Sequence, residues 1–210
     1  FMVGNSLLVK PITSPGVTST SMDFPGGETQ RWYDTISHVE YTGGTTVTVS
    51  APIDFIPVYQ RGGTIVPKQM RVRRSSQLMV NDPYTLVVAL DSTGSAKGDI
   101  YLDDFHSFEY QTSKAYIHRE FSVVQKVGEG KGTVMTSKDL TGGVSNSNFQ
   151  PTNTVERIVF MGLKNAPTKV TIHSDSTSGD VEFIFDQAAS TLTLRKPNVL
   201  IRENWSIILV

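Results

Sequence analysis

The sequence contains no cysteine, which removes disulfide scaffolds, thiolate catalysis and cysteine-ligated zinc from consideration. The absence does not identify a compartment, because oxidising compartments also hold cysteine-free domains. Net charge is also scarce: 19 Lys and Arg against 20 Asp and Glu leave a formal charge of -1. No general electrostatic pull toward nucleic acid or anionic membrane follows, and neutral ligands or protein partners fit better. Long apolar runs are missing, none approaching the roughly 18 residues that span a bilayer as a helix. The opening Phe1-Met2-Val3-Gly4 has neither the basic nor the apolar region of a signal peptide. The four histidines, His38, His106, His118 and His173, are far apart and match neither H-x-x-x-H nor H-E-x-x-H, so no zinc site is expected. No G-x-S-x-G occurs, which leaves a hydrolase triad without its nucleophile elbow.

What is present is β-structure. Short runs rich in Val, Ile, Thr, Tyr and Phe recur between clusters of Gly, Pro, Asn, Asp and Ser, while helical periodicity is nearly absent. Strands are expected at 6–10, 45–49 and 55–61, then at 84–90, 99–102, 115–124, 132–136, 156–161, 169–173, 181–185, 191–194 and 205–210. Alternation in Val181 to Phe185 and Thr191 to Leu194 marks strands with one wet and one core face. The fold class expected is therefore all-β, and 210 residues accommodate two domains. The polar stretch Lys68 to Pro83 is the natural seam, placing one domain at 1–68 and a β-sandwich at 69–210. Residues 137–154, full of Ser, Asn, Thr and Gly, read as a surface loop. The chain opens inside a hydrophobic element without an initiator Met, the mark expected of a piece of a longer polypeptide.

The acidic candidates do not assemble into a catalytic pair. Asp103 and Asp104 are adjacent, and adjacent strand residues point to opposite faces. Asp99 and Asp103 share a face, but four residues at about 3.3 Å rise separate them by about 13 Å. Glycoside hydrolysis requires carboxyls about 5 to 5.5 Å apart for retention or about 6.5 to 9.5 Å for inversion. Turn capping through backbone N–H groups is the expected role of Asp104 or of both aspartates, with a calcium or sugar contact as the alternative. Trp32-Tyr33-Asp34 could form a sugar platform, but alternating strand aromatics more often supply one core and one rim residue. Gln60-Arg61-Gly62-Gly63 is not a phosphate loop, since no Gly-Lys-Ser/Thr follows; its glycines are expected to allow positive φ or close backbone approach. Lys68, Arg71, Arg73 and Arg74 are expected to be solvated or to form interdomain salt bridges rather than to bind nucleic acid. Asn204-Trp205-Ser206 matches the N-glycosylation pattern at the start of an apparently buried strand, and is expected to be unmodified for that reason.

Three segments, Phe1 to Pro11, then Trp32-Tyr33-Asp34, then Ile56-Pro57-Val58-Tyr59-Gln60-Arg61-Gly62-Gly63-Thr64-Ile65-Val66-Pro67, resemble in order and spacing the C-terminal part of family 31 glycoside hydrolases. The string Met70-Arg71-Val72-Arg73-Arg74-Ser75-Ser76, the motif Tyr101-Leu102-Asp103-Asp104, and the endings Leu194-Arg195-Lys196-Pro197 and Trp205-Ser206-Ile207 extend the resemblance over nearly the whole chain. They narrow it to the family's N-glycan-trimming α-glucosidases. The family usually places glycine after the paired aspartates; this chain has Phe105, so a wider turn or different dihedrals are expected there.

The resemblance implies a retaining α-glucosidase of the endoplasmic reticulum lumen that removes α-1,3-linked glucose from N-glycans of newly made glycoproteins, as a heterodimer with a lectin-like β subunit. Its catalytic aspartates would lie in a (β/α)8 barrel upstream. Trp32-Tyr33-Asp34 is followed by Thr35-Ile36 and does not match the family's nucleophile sequence, so no catalytic, cofactor or metal residue is carried over and no cofactor is expected. The chain then reads as a supporting C-terminal portion, inactive alone. The rival reading is a free-standing carbohydrate-binding module with Trp32, Tyr33 and the Asp103 to Tyr110 turn as its sugar surface.

Overall fold

The computed structural model describes residues 1–126, 132–142 and 149–210. Its first third forms β1 (Met2–Val3), β2 (Leu7–Val9), β3 (Ser19–Phe24), β4 (Arg31–Asp34), β5 (Glu40–Thr42), β6 (Thr45–Ser50) and β7 (Val58–Arg61). Five of these make a small sheet in the order β1-β2-β7-β4-β5, while β3 and β6 pair as a separate ribbon. The ribbon covers one face of the small sheet: Met22 and Phe24 from β3 and Val49 from β6 join Leu8, Trp32 and Tyr59 in one apolar cluster. Phe24 lies edge-on to Tyr59 with centroids 4.8 Å apart and stacks on Tyr41 at 4.7 Å, geometries that suit the ring quadrupoles.

The remaining strands are β8 (Thr64–Lys68), β9 (Tyr84–Ala89), β10 (Ala96–Leu102), β11 (Ile117–Lys126), β12 (Gly132–Asp139), β13 (Thr154–Met161), β14 (Val170–Ser174), β15 (Ser178–Asp180), β16 (Glu182–Asp186), β17 (Thr191–Leu200) and β18 (Trp205–Leu209). They form one sheet in the order β15-β14-β18-β12-β11-β10-β8-β9-β13-β17-β16. Strand β8 is the hinge of this sheet, joined to β10 by a single parallel register pair, Lys97 and Thr64, and to β9 by five antiparallel pairs. The two wings face one another across a continuous core that includes Leu86, Val88, Ile117, Phe121, Ile158, Phe160, Leu194 and Ile207. The expected all-β sandwich is therefore observed, with one-turn helices at Ser76–Met79 and at Glu109–Thr112.

Alternation explains most strands. In β11, Ile117, Arg119, Phe121 and Val123 are buried while intervening residues are not, and in β18 Trp205, Ile207 and Leu209 behave alike. Strand β9 differs because all six of its residues are buried. Leu86 and Val88 face the sandwich core; Val87 and Ala89 face the other way, against Tyr33, Val159 and Met161. A strand buried on both faces reads as a continuous apolar run, and here the second face is where the small sheet docks.

Of the expected loop at 137–154, residues up to Asp139 continue β12 and residues from Thr154 belong to β13, while 143–148 lie outside the described residues. Sheet membership changes at Gly62-Gly63, since β7 belongs to the small sheet and β8 to the large one.

Candidate functional site

Each conspicuous aspartate holds a turn. Asp34 Oδ1 accepts the backbone N–H groups of Ile36 at 2.9 Å and Ser37 at 2.7 Å. Asp103 Oδ1 accepts that of Phe105 at 2.9 Å, and Asp104 Oδ1 accepts those of His106 at 3.1 Å and Ser107 at 3.0 Å. Short polar side chains that bond two or three residues ahead stabilise such bends directly. Hydrogen bonds from Ser107 and the turn amides hold the Asp104 carboxyl below its ordinary value, because they favour the ionised form. Phe105 has φ of +60°, so the departure from glycine leaves a left-handed backbone in place.

Trp32 and Tyr33 are both core residues, at 2% and 1% exposure, which corrects the expected core-and-rim arrangement and leaves neither ring free to stack on a sugar. Neighbouring strand residues point to opposite faces, but β4 lies between two apolar layers. Trp32 enters the cluster under the β3 and β6 ribbon, with its indole N–H donating to the Pro25 carbonyl at 2.9 Å. Tyr33 enters the seam against β9 and β13, and its hydroxyl donates to the Leu90 carbonyl at 2.8 Å. Burial, reinforced by the Glu40 carboxylate, raises the Tyr33 phenol well above its ordinary value, so it stays a donor.

The Gln60 to Gly63 segment is the second tie between the sheets. Gln60 is fully buried, and its amide nitrogen donates across the seam to the Val87 carbonyl at 3.0 Å and to Thr64 O at 3.2 Å. The Gly62 amide donates to Arg31 O at 2.7 Å and the Gly63 amide to Ala89 O at 2.8 Å, one bond to each sheet. A Cβ at Gly62 would stand 2.8 Å from Arg31 Cβ and 2.9 Å from Leu90 O, and Gly63 has φ of +90°. Close approach and positive φ, the two reasons expected for these glycines, therefore both occur. Beside the seam, Arg31, Tyr33 and Glu40 of the small sheet and the Asp91 to Gly94 and Gly162 to Pro167 loops of the large one line a cavity of about 730 Å³.

Two of the four basic residues, Arg71 and Arg73, form ion pairs. Arg71 pairs with Glu156 at 2.9 Å, and Arg73 forks onto Asp82, with Nε to Oδ2 at 2.9 Å and Nη2 to Oδ1 at 2.6 Å. The histidines have separate neighbours: Thr191 for His38, Gln77 for His106, Asp99 for His118 and Ser178 for His173. No cluster of three or more His, Cys, Asp or Glu that could hold a metal occurs among the described residues. Asn204 is exposed, so burial is not what would keep its sequon unmodified. Its Oδ1 instead accepts Arg119 Nη2 at 2.7 Å.

Arg119 is the functional-looking residue that strand counting passed over. It is 1% exposed, and Nη2 also donates to Glu203 O at 2.6 Å and to Ser137 Oγ at 3.0 Å. Burial lowers its pKa, an effect partly opposed by Asp139. The signal was available: Arg119 stands in the apolar phase of Ile117, Phe121 and Val123, and a cation on a core face needs a full set of acceptors.

A profile described as glycosyl hydrolase family 31 C-terminal domain matches residues 1–66. Neutral alpha-glucosidase AB of Sus scrofa is 39% identical over 207 residues, covering 99% of this chain and 21% of the relative. A probable glucan 1,3-alpha-glucosidase of Arabidopsis thaliana is 36% identical over 215 residues, covering 99% of this chain and 22% of the relative. The catalytic subunit in a crystal structure of the ER glucosidase II heterodimeric complex, solved with the binding domain of the regulatory subunit, superposes with a TM-score of 0.85 at 30% identity. That match covers 100% of this chain and 23% of the other. The chain thus spans about a fifth of the length of the relatives it matches. It belongs to glycosyl hydrolase family 31, carrying the family's C-terminal domain at residues 1–66 and resembling throughout the C-terminal region of its neutral alpha-glucosidases.

Proposed function

We propose that this chain is the non-catalytic C-terminal portion of a retaining α-glucosidase that trims α-1,3-linked glucose from the N-glycans of newly made glycoproteins. The observation that carries the reading is similarity over 99% of the chain to about a fifth of the neutral alpha-glucosidases. In this reading the small sheet and its ribbon form the end of the catalytic barrel and the proximal β-domain, the large sheet forms the distal sandwich, and the nucleophile and acid/base lie upstream. The Asp34, Asp103 and Asp104 carboxyls are engaged in turn capping, which fits a supporting role. So do the exposed apolar residues in and beside the small sheet, Phe1 at 68% exposure, Val3 at 52% and Ile56 at 61%, which a covering barrel would bury. The partners would be the upstream portion and the glucosidase II β subunit, and the compartment the endoplasmic reticulum lumen.

The test is hydrolysis of an aryl α-glucoside by the 210 residues alone and by the same chain co-expressed with its upstream barrel portion. Activity is expected only in the second sample, with the two portions co-purifying. Turnover by the 210 residues alone, or a lone 23 kDa species with full glycan affinity, would favour an autonomous enzyme or a free-standing carbohydrate-binding module.

A further inference from the structure

The supporting role leaves one feature of the chain unexplained. Phe105 stands at φ of +60°, a region that glycine enters freely and a bulky L residue does not, yet the residue is 59% exposed and the nearby Phe108 is 72% exposed. Core packing accounts poorly for a left-handed aromatic residue that is more than half exposed. Strained residues held at a surface depression more often mark a site of contact.

The depression is there. A cavity of about 280 Å³ beside the turn is lined by Tyr84, Leu102, Phe105 and Phe149, with Asp103 and Asp104 among its polar groups. No Lys, Arg or His lines it among the described residues, which disfavours phosphate, carboxylate and nucleic acid as occupants. Its volume lies just under the about 300 to 1,000 Å³ range of small-molecule pockets, room for one ring and not for a chain. Aromatic walls with a few oriented acceptors suit a ring that is apolar on its C–H face and hydroxylated at its edge. Each aspartate already accepts turn N–H groups through Oδ1. A carboxylate has about four acceptor sites, so capacity remains for hydroxyl donors, while the partly satisfied charge is a weaker attraction for a cationic side chain.

We infer that the cavity between the Asp103–Phe105 turn and Phe149 is a binding site for one sugar ring of a neutral oligosaccharide, with the Phe105 ring as its stacking wall. The choice of sugar over other neutral rings rests in part on the function proposed above.

The experiment uses the full-length polypeptide with its active site saturated by an iminosugar inhibitor, titrated with mannobiose and separately with a tri-lysine peptide, and followed by saturation-transfer NMR. Wild type is expected to bind mannobiose weakly but saturably, and Phe105→Gly about tenfold more weakly, the size of one aromatic contact. Because glycine relieves the positive φ, Phe105→Gly should melt at or above the wild-type temperature and hydrolyse nitrophenyl α-glucoside with unchanged kcat/KM, so lost binding cannot be lost folding. Equal mannobiose binding by the two proteins, no binding by wild type, or a preference for tri-lysine would overturn the inference. If wild type binds mannobiose in a Phe105-dependent way but hydrolyses no α-glucoside, the site stands and the proposed function fails.

Discussion

The docking of the two sheets can be tested at a single contact. Gly162 has φ of +86°, and a Cβ placed there would lie 2.2 Å from the Tyr33 hydroxyl oxygen, 2.9 Å from Cζ and 3.2 Å from Cε1. Tyr33 is held in turn by its hydrogen bond to Leu90 O. Gly162→Ala therefore combines a left-handed alanine, about 1 kcal/mol, with an overpacked contact of about 1 to 3 kcal/mol, and should lower stability by about 2 to 4 kcal/mol. Tyr33→Phe removes a buried donor and leaves the Leu90 carbonyl without it, a loss of about 1 to 3 kcal/mol. The two changes are not independent, because the oxygen that the new methyl group would strike is the atom that Tyr33→Phe deletes. The double variant should be less destabilised than the sum of the singles by about 1 kcal/mol, within the range for contacting residues. It should not recover fully, since the Cζ contact and the positive φ persist. Urea unfolding at constant m reads this as three midpoint shifts. Additivity within about 0.3 kcal/mol, or a neutral Gly162→Ala, would refute the claim that the tyrosine hydroxyl fills the space a side chain at 162 would need.

Two further outcomes follow from buried polar groups. Arg119→Met should lower stability by about 2 to 4 kcal/mol, because Glu203 O, Asn204 Oδ1 and Ser137 Oγ lose a shared donor; Arg119→Lys, which keeps the charge without the planar fork, should recover only part of the urea midpoint. His38 is half-buried, and burial, opposed by Asp34 but aided by Lys68, lowers its pKa below 6.5. Below that value the unfolded chain binds a proton that the folded one resists, so stability should fall as pH drops from 6.5 toward the folded pKa and be unaffected above it. His38→Asn, which tolerates the φ of +61° at this position, should flatten that slope in midpoints measured from about pH 7.5 to about pH 5; an unchanged slope would assign the acid sensitivity elsewhere.

How much of this was legible in the sequence depended on whether a residue's neighbours were local. Strands with one wet face announced themselves, as in Val181 to Phe185 and Trp205 to Val210. Strands β3 and β5 did not, because Ser19–Phe24 and Glu40–Thr42 carry few apolar residues and acquire their role from the aromatic cluster that Phe24 and Tyr41 join. The predicted strand at 55–61 begins only at Val58, since Pro57 supplies no ladder N–H. Turn-capping aspartates were readable because an Asx bond spans two or three residues. The Tyr33 and Gln60 ties were not, because their partners Leu90 and Val87 lie 57 and 27 residues away. A motif such as Gln60-Arg61-Gly62-Gly63 records only half of an interaction whose other half is on β9.

The same distinction sorts the residues that look chemical. Asp34, Asp103, Asp104, Arg71, Arg73 and Gln60 each have a partner within the fold, so their polarity is accounted for before any reaction is invoked. Phe105 reverses that logic. Its backbone conformation is unfavourable for its side chain, it is more than half exposed, and replacing it with glycine should stabilise the turn. A residue whose removal helps folding has to be explained by something outside the fold, and that makes the turn at Asp103–Phe105, rather than the better-connected tryptophan and tyrosine of β4, the place to look for a ligand.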